Sequence, residues 1–111
     1  MVISAEKENS FYIISVQGDL DASSCILLDK AIAEAVKKEE KKIIIDCGRL
    51  NYIASAGLGV FMSYIQEFES NQISLVLCNM SEKVKKPFEI LGLDELIKIV
   101  STKEEAKAYI P

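Results

Sequence analysis

The sequence predicts an α/β fold, a mostly parallel sheet of four to five strands with about four helices. Three observations carry that expectation. Lys42–Asp46 holds three consecutive isoleucines with no polar alternation, as a strand covered on both faces requires. Leu58, Phe61, Met62, Ile65 and Phe68 recur at helical spacing, which marks one helix face packed on a core. Strand-like and helix-like segments then alternate along the chain, the pattern of βα units.

Taken in order, Val2–Ala5 reads as a short edge strand. Phe11–Gln17 is the next strand, with Phe11, Ile13 and Ser15 on one face and Tyr12, Ile14 and Val16 on the other. The acidic turn Gly18-Asp19-Leu20-Asp21 ends it and leads into a helix over Ala22–Lys37, whose buried stripe is Leu28, Ile32, Ala35 and Val36. After the isoleucine strand, Ser55 stands at the mouth of a helix beginning near Ala56. Ile73–Cys78 is a further buried strand, so helices cover both sides of the sheet. Ser81 caps a third helix running to about Leu91, where Gly92 supplies a left-handed stop; Pro87 inside it is expected to kink or split it. Leu96–Val100 is the last strand, and Thr102-Lys103-Glu104-Glu105 is a capping box opening a helix that ends near Ile110.

With 111 residues the chain suits one domain spanning its whole length, large enough for a self-sufficient core. No apolar run reaches the roughly 18 residues of a membrane span, and no basic-then-apolar leader opens the chain, so a cytoplasmic protein is expected. A net charge of −4 argues against a nucleic-acid surface. Lys37, Lys38, Lys41 and Lys42 cluster, but Glu39 and Glu40 interrupt them, which describes a solvated helix end. Cys25, Cys47 and Cys78 have no metal-binding spacing and read as small buried hydrophobes, with Cys47 and Cys78 as conceivable neighbours. The chain has no histidine, and with it no usual general base, triad partner or common metal ligand.

Enzyme patterns fail on residue type. A nucleophile elbow around Ser55 would need glycine where Ile53 stands. Gly57-Leu58-Gly59 opens like a dinucleotide fingerprint, yet Met62 occupies the third glycine position and no phosphate-loop lysine follows. No cofactor is expected. What remains is a sheet edge. Parallel strands send their carboxyl ends and the following helix starts to one side, so Asp19, Asp21, Asp46 and Ser55 are expected to share it. Two readings of Ser55 stay open, a helix cap and a phosphorylation site at the positive end of a helix dipole. Asp21 is either an acid favouring the dipole or part of a site, and Asp46 either binds loop amides or accepts phosphate. Helical projection places Val60, Tyr64 and Glu67 away from the core, suggesting a partner-docking face beside Ser55.

Val16-Gln17-Gly18-Asp19-Leu20-Asp21, Ile43-Ile44-Ile45-Asp46, Tyr52-Ile53-Ala54-Ser55-Ala56-Gly57-Leu58-Gly59-Val60, Leu75-Val76-Leu77-Cys78 and Phe88-Glu89-Ile90-Leu91-Gly92-Leu93 together resemble the STAS domain of bacterial anti-sigma factor antagonists. The resemblance covers nearly the whole chain and implies the STAS fold. It also implies a non-enzymatic switch that binds an anti-sigma factor, itself a serine kinase of the GHKL ATPase type, and so frees a sigma factor. A serine phosphatase is a further implied partner. In that family an Asp-Ser-Ser-Gly or Asp-Ser-Thr-Gly loop carries the phosphorylated serine. Carried over, Ser55 is the phosphorylated residue and Gly57 the following glycine, with Asp21 beside them in partner recognition.

Two positions depart from the pattern: Ala54 stands where the family has aspartate, and Ala56 where it has a second hydroxyl. Ser55 is thereby the only hydroxyl of the loop. Phosphate would add about −1.5 to −2 charges at a helix N-terminus, tolerable for the fold and disruptive for a partner docked on Ala54, Ser55, Val60 and Tyr64. Two rival readings stand beside this one, the first of which keeps the fold. One is an unphosphorylated adaptor or scaffold subunit of a signalling or transport complex, which Ala54 favours. The other is a receiver-like domain phosphorylated on Asp46, disfavoured by the lack of an acid pair after the first strand.

Overall fold

Ile43, Ile44 and Ile45 sit fully buried in the middle of the sheet, and the rest of the architecture is arranged on either side of them. The computed structural model describes residues Met1–Pro111. Strands β1 (Val2–Glu8), β2 (Phe11–Leu20), β3 (Lys42–Ile53), β4 (Ser74–Cys78) and β5 (Lys98–Val100) form one sheet in sequential order. Only the β1–β2 pairing is antiparallel; the others are parallel. Helices α1 (Cys25–Lys37), α2 (Ser55–Ser70) and α3 (Glu82–Ile90) connect the parallel strands, and α4 (Lys103–Tyr109) ends the chain.

The three connecting helices share one face of the sheet, as right-handed crossovers between neighbouring parallel strands demand. There Leu28 and Ile32 of α1, Leu58, Phe61 and Phe68 of α2, and Val84 and Phe88 of α3 pack with Tyr12, Ile14, Val16, Ile43, Ile45 and Leu77. Full burial of each large aliphatic contributes about 1.5–3 kcal/mol, so this face carries most of the hydrophobic stabilisation. The other face is covered sparsely. Ile13, Ile44, Val76 and Cys78 pack with Ala106 and Ile110 at the α4 end of the chain, and half-buried Phe11 and Val100 flank them.

Helices on both faces and the two-faced β2 were legible in the sequence, whereas several boundaries move. β1 extends to Glu8 rather than Ala5; its Glu6, Lys7 and Glu8 are the charges an exposed edge strand carries. β2 reaches Leu20, and β3 reaches Ile53 instead of stopping at Asp46. Two register shifts between β2 and β3 break the alternation there and hide the strand. α1 begins at Cys25, because Ala22–Ser24 form a separate turn. β5 shrinks to Lys98–Val100, since Leu93–Glu95 close a short 3-10 turn before it.

The helix caps follow the sequence closely. Ser81 accepts from the Val84 N–H at 3.3 Å and Thr102 from the Glu105 N–H at 3.1 Å. Gly92 adopts the left-handed conformation, φ 72°, just after α3. α3 is not split at Pro87: it runs unbroken from Glu82 to Ile90.

Candidate functional site

The ends of β2 and β3 are locked together before either chain leaves the sheet. Leu20 pairs with Ile53, and the Ala54 N–H donates to the Leu20 carbonyl at 2.9 Å. The next residue on each side is a candidate, Asp21 after Leu20 and Ser55 after Ala54. Backbone register alone therefore brings these two to the same corner.

Ala54 is the N-cap of α2, extended at φ −94° and ψ 171°, and its carbonyl accepts from the Gly57 and Leu58 N–H groups at 3.0 and 3.1 Å. Ser55 is the first helical residue, one place later than a cap, so the capping reading of Ser55 is corrected. No side chain caps this helix. The physical reason is that β3 continues to Ile53, which leaves a single residue for the turn and puts an alanine, with no acceptor, in the capping place. Ser55 is exposed, and nothing in the chain uses its hydroxyl. It stands on the positive end of a 16-residue helix whose first turn carries no acidic side chain.

Gly57 holds this corner tight. An added Cβ would lie 2.8 Å from Leu20 Cγ and 3.0 Å from Ile53 Cγ1, both in the core. Asp21 shapes the neighbouring turn: its Oδ1 accepts from the Ser23 and Ser24 N–H groups at 3.0 and 3.1 Å and from the Ser23 hydroxyl at 2.7 Å. Hydrogen bonds from Ser23 and then Ser24 hold the Asp21 carboxyl below its ordinary range. Ser24 completes the turn by donating to the Asp19 carbonyl at 2.8 Å.

Two residues expected on an open docking face are elsewhere. Val60 is half-buried against the main core. The Tyr64 hydroxyl donates to Asp29 Oδ1 of α1 at 2.8 Å and its ring packs on Phe68 at 5.3 Å; burial, then the bond to Asp29, raises its pKa. Tyr64 faces α1, and the buried stripe of α2 is Gly57, Leu58, Phe61 and Phe68. That stripe is rotated away from Met62, assigned to the core by its spacing yet 51% exposed. Met62 lies seven residues beyond Ser55, hence on the same face of α2. Met62, and Tyr52 on the strand leading into the turn, are about half exposed, and neither was singled out as exposed from the sequence. The signal for Met62 was Gly57, whose lack of a side chain marks the tightest contact of the helix with the sheet.

Asp46 does not join this corner. It lies inside β3, paired with Ser15 and Cys78, and its Oδ1 accepts from the Gly48 N–H at 3.0 Å and Asn79 Nδ2 at 3.1 Å. Binding amides is its observed role. Cys47 belongs to the main core and Cys78 to the smaller core on the opposite face, so the two thiols do not form a facing pair. No group of three or more carboxylates or thiols gathers into a metal-binding cluster.

Residues 2–106 match the STAS domain. The chain belongs to the STAS domain family. Among curated relatives of this STAS protein, BtrV of Bordetella bronchiseptica, described as a candidate anti-sigma factor antagonist, is 32% identical over 97% of this chain and 93% of its own. The anti-sigma-B factor antagonist of Listeria monocytogenes is 31% identical over 90% of this chain and 88% of its own. Among solved structures, the anti-sigma factor antagonist SpoIIAA in its unphosphorylated form superposes with a TM-score of 0.81 at 25% identity, over 98% of this chain and 96% of that one. Its phosphorylated form from Bacillus superposes with a TM-score of 0.73 at 24% identity, over 99% and 100%. These likenesses agree with the five-stranded, mostly parallel sheet and four helices of this STAS domain.

Proposed function

We propose that this protein is a cytoplasmic, non-enzymatic anti-sigma factor antagonist: unmodified, it binds an anti-sigma factor and frees a sigma factor, and phosphorylation of Ser55 switches it off. The observation that carries the reading is the exposed, unengaged Ser55 hydroxyl at the start of α2, beside Asp21, in a chain similar to named anti-sigma factor antagonists.

The partner is an anti-sigma factor that is also a serine kinase of the GHKL ATPase type. In the transfer, Ser55 Oγ attacks the γ-phosphorus of ATP, its proton passes to a base on the kinase, the new Oγ–P bond forms and ADP leaves. With no histidine in this chain, activation of the hydroxyl falls to the kinase. A serine phosphatase resets the switch by hydrolysis: water attacks phosphorus, the Oγ–P bond breaks, Ser55 regains its proton and inorganic phosphate leaves. Phosphate adds about −1.5 to −2 charges. The first turn of α2 contains no cation to pair with it, and Asp21 is already negative at the same corner. The charge is therefore directed at the docked partner, where like-charge and desolvation penalties of several kcal/mol are attainable and each 1.4 kcal/mol is about tenfold in affinity. Docking uses Ser55, Asp21 and Ala54, with Met62 and Tyr52 as the apolar surface.

Ala54 in place of an aspartate favours a second reading, an unphosphorylated adaptor or scaffold subunit. One experiment separates the two. The protein and its Ser55→Ala and Ser55→Asp variants are incubated with a candidate anti-sigma kinase and ATP, then analysed by intact mass and partner capture. One added phosphoryl group on the parent protein alone, with Ser55→Asp failing to hold the kinase, is the expected result. Phosphate on Ser55→Ala, or equal capture of all three, would overturn the switch in favour of the adaptor.

A further inference from the structure

The sheet face opposite α1, α2 and α3 is covered by α4 over only part of its area, an unusual exposure for a largely parallel sheet. On the uncovered part lies a cavity of about 420 Å³ lined by Ser4 of β1, Ser15 and Gln17 of β2, Asp46 and Arg49 of β3, and Asn79 after β4. This volume suits a small molecule, for which pockets run from about 300 to 1,000 Å³. Val2 and Val16 are its only hydrophobic lining residues, so polar and charged side chains decide what it holds.

A defect in strand pairing builds the site. Ser15 pairs with Asp46 and Gln17 with Arg49, so Val16 alone stands opposite Cys47 and Gly48. An extra residue reverses the alternation of everything after it. Regular alternation, with Asp46 on the open face and Cys47 in the core, would turn residue 49 inward. The bulge instead puts Arg49 on the open face with Asp46 and returns Leu50 to the core. Arg49 is the only arginine of the chain. The bonds within the cavity run from the Gly48 N–H and Asn79 Nδ2 to Asp46 Oδ1, leaving the second Asp46 oxygen, Gln17, Ser4, Ser15 and the Arg49 guanidinium unengaged. Asn79 turns the chain out of β4 with a left-handed backbone, φ 60°, which asparagine adopts readily.

The geometry points to a binding site for a small hydrophilic carboxylate that also carries a hydroxyl or amino group. The planar Arg49 fork takes the carboxylate through two parallel bonds. Gln17 and Ser15 supply neutral donors and acceptors beside it. The Asp46 oxygen accepts from the hydroxyl or ammonium and repels a second negative charge, which selects against inorganic phosphate and other dianions. The site is on the face of the sheet away from α2 and does not depend on the switch at Ser55.

The test is a titration of the full ¹⁵N-labelled chain with glycerate, L-serine, propionate and inorganic phosphate, followed by NMR. Saturable shifts of the Gln17 side-chain amide, Arg49 Nε–H and the Gly48 amide with glycerate or L-serine are expected, at least about tenfold weaker with propionate and in Arg49→Gln. Glycerate against L-serine tells a hydroxy acid from an amino acid. Arg49 is exposed, so Arg49→Gln keeps the fold, checked by unchanged amide dispersion elsewhere. No saturable shift in the millimolar range, unchanged binding in Arg49→Gln, or an equal response to propionate and phosphate would each overturn the site.

Discussion

Gly57 is the residue at which the start of α2 has least room against the sheet. A methyl there meets Leu20, which is fully buried and cannot swing toward solvent, and Ile53, which is 5% exposed. Gly57→Ala is expected to lower stability by about 1–3 kcal/mol in urea denaturation, as overpacking does, and to slow phosphorylation of Ser55 by lifting the start of α2 off the sheet. Gly59, two residues on, is the control. An added Cβ there meets nothing within 4 Å, so Gly59→Ala should raise stability by about 0.5–1 kcal/mol by removing a glycine from a helix interior. Loss of stability in both variants, or in neither, would show that contact with Leu20 does not fix the helix start. The start of α2 at Ser55 was legible at this scale because a lone hydroxyl before an apolar periodic run is a strong local signal. The role of Ser55 as a cap was misread because one missing strand boundary moves the cap to Ala54.

At the scale of the element, α2 divides its apolar residues between two tasks. Leu58, Phe61 and Phe68 hold the sheet and Tyr64 holds α1, whereas Met62 is left outside on the Ser55 face. Met62→Lys is therefore expected to change stability by no more than about 0.5 kcal/mol and to weaken capture of the anti-sigma kinase by about 1–2 kcal/mol, as removal of an apolar contact from an interface does. Tyr64→Phe should do the reverse: it loses the hydrogen bond to Asp29, about 0.5–1.5 kcal/mol of stability, with capture unchanged. Urea denaturation beside a binding titration checks both, and the opposite pattern would return Tyr64 to the docking face. The sequence misassigned this division because helical spacing gives a face its periodicity without its centre. Met62 and Ile65 fit the period equally well, and only the contact at Gly57 fixes the rotation. For β3 the difficulty differed. The isoleucine half was plain, but two register shifts scramble the alternation of Cys47–Ile53, so half a strand read as a loop.

At the scale of the molecule, the sheet separates two unequal cores, and the cysteines report on each. Cys47 is buried in the larger core and Cys78 in the smaller one. Desolvation pushes the Cys47 thiol well up, with Cys78 and Asp46 adding to it, and pushes Cys78 up to about 12, with Asp46 adding to it. A thiol in that state has almost no thiolate at neutral pH and does not react. Cys25, by contrast, is partly exposed at the start of α1. The native protein is thus expected to label rapidly at one thiol of its three and at all three in denaturant. Because Cys78 lies in the smaller core with Ala106 of α4, the two slow thiols should differ: fraying of α4 loosens the cover over Cys78 without opening the main core, and Cys47 waits for global unfolding. Mass spectrometry of a labelling time course reads this order directly. Cys78 modified before Cys47, both far behind Cys25, is the expected sequence. Simultaneous labelling of Cys47 and Cys78 would mean that the two cores melt as one, and that the short last helix is as firmly held as the three that cross between strands.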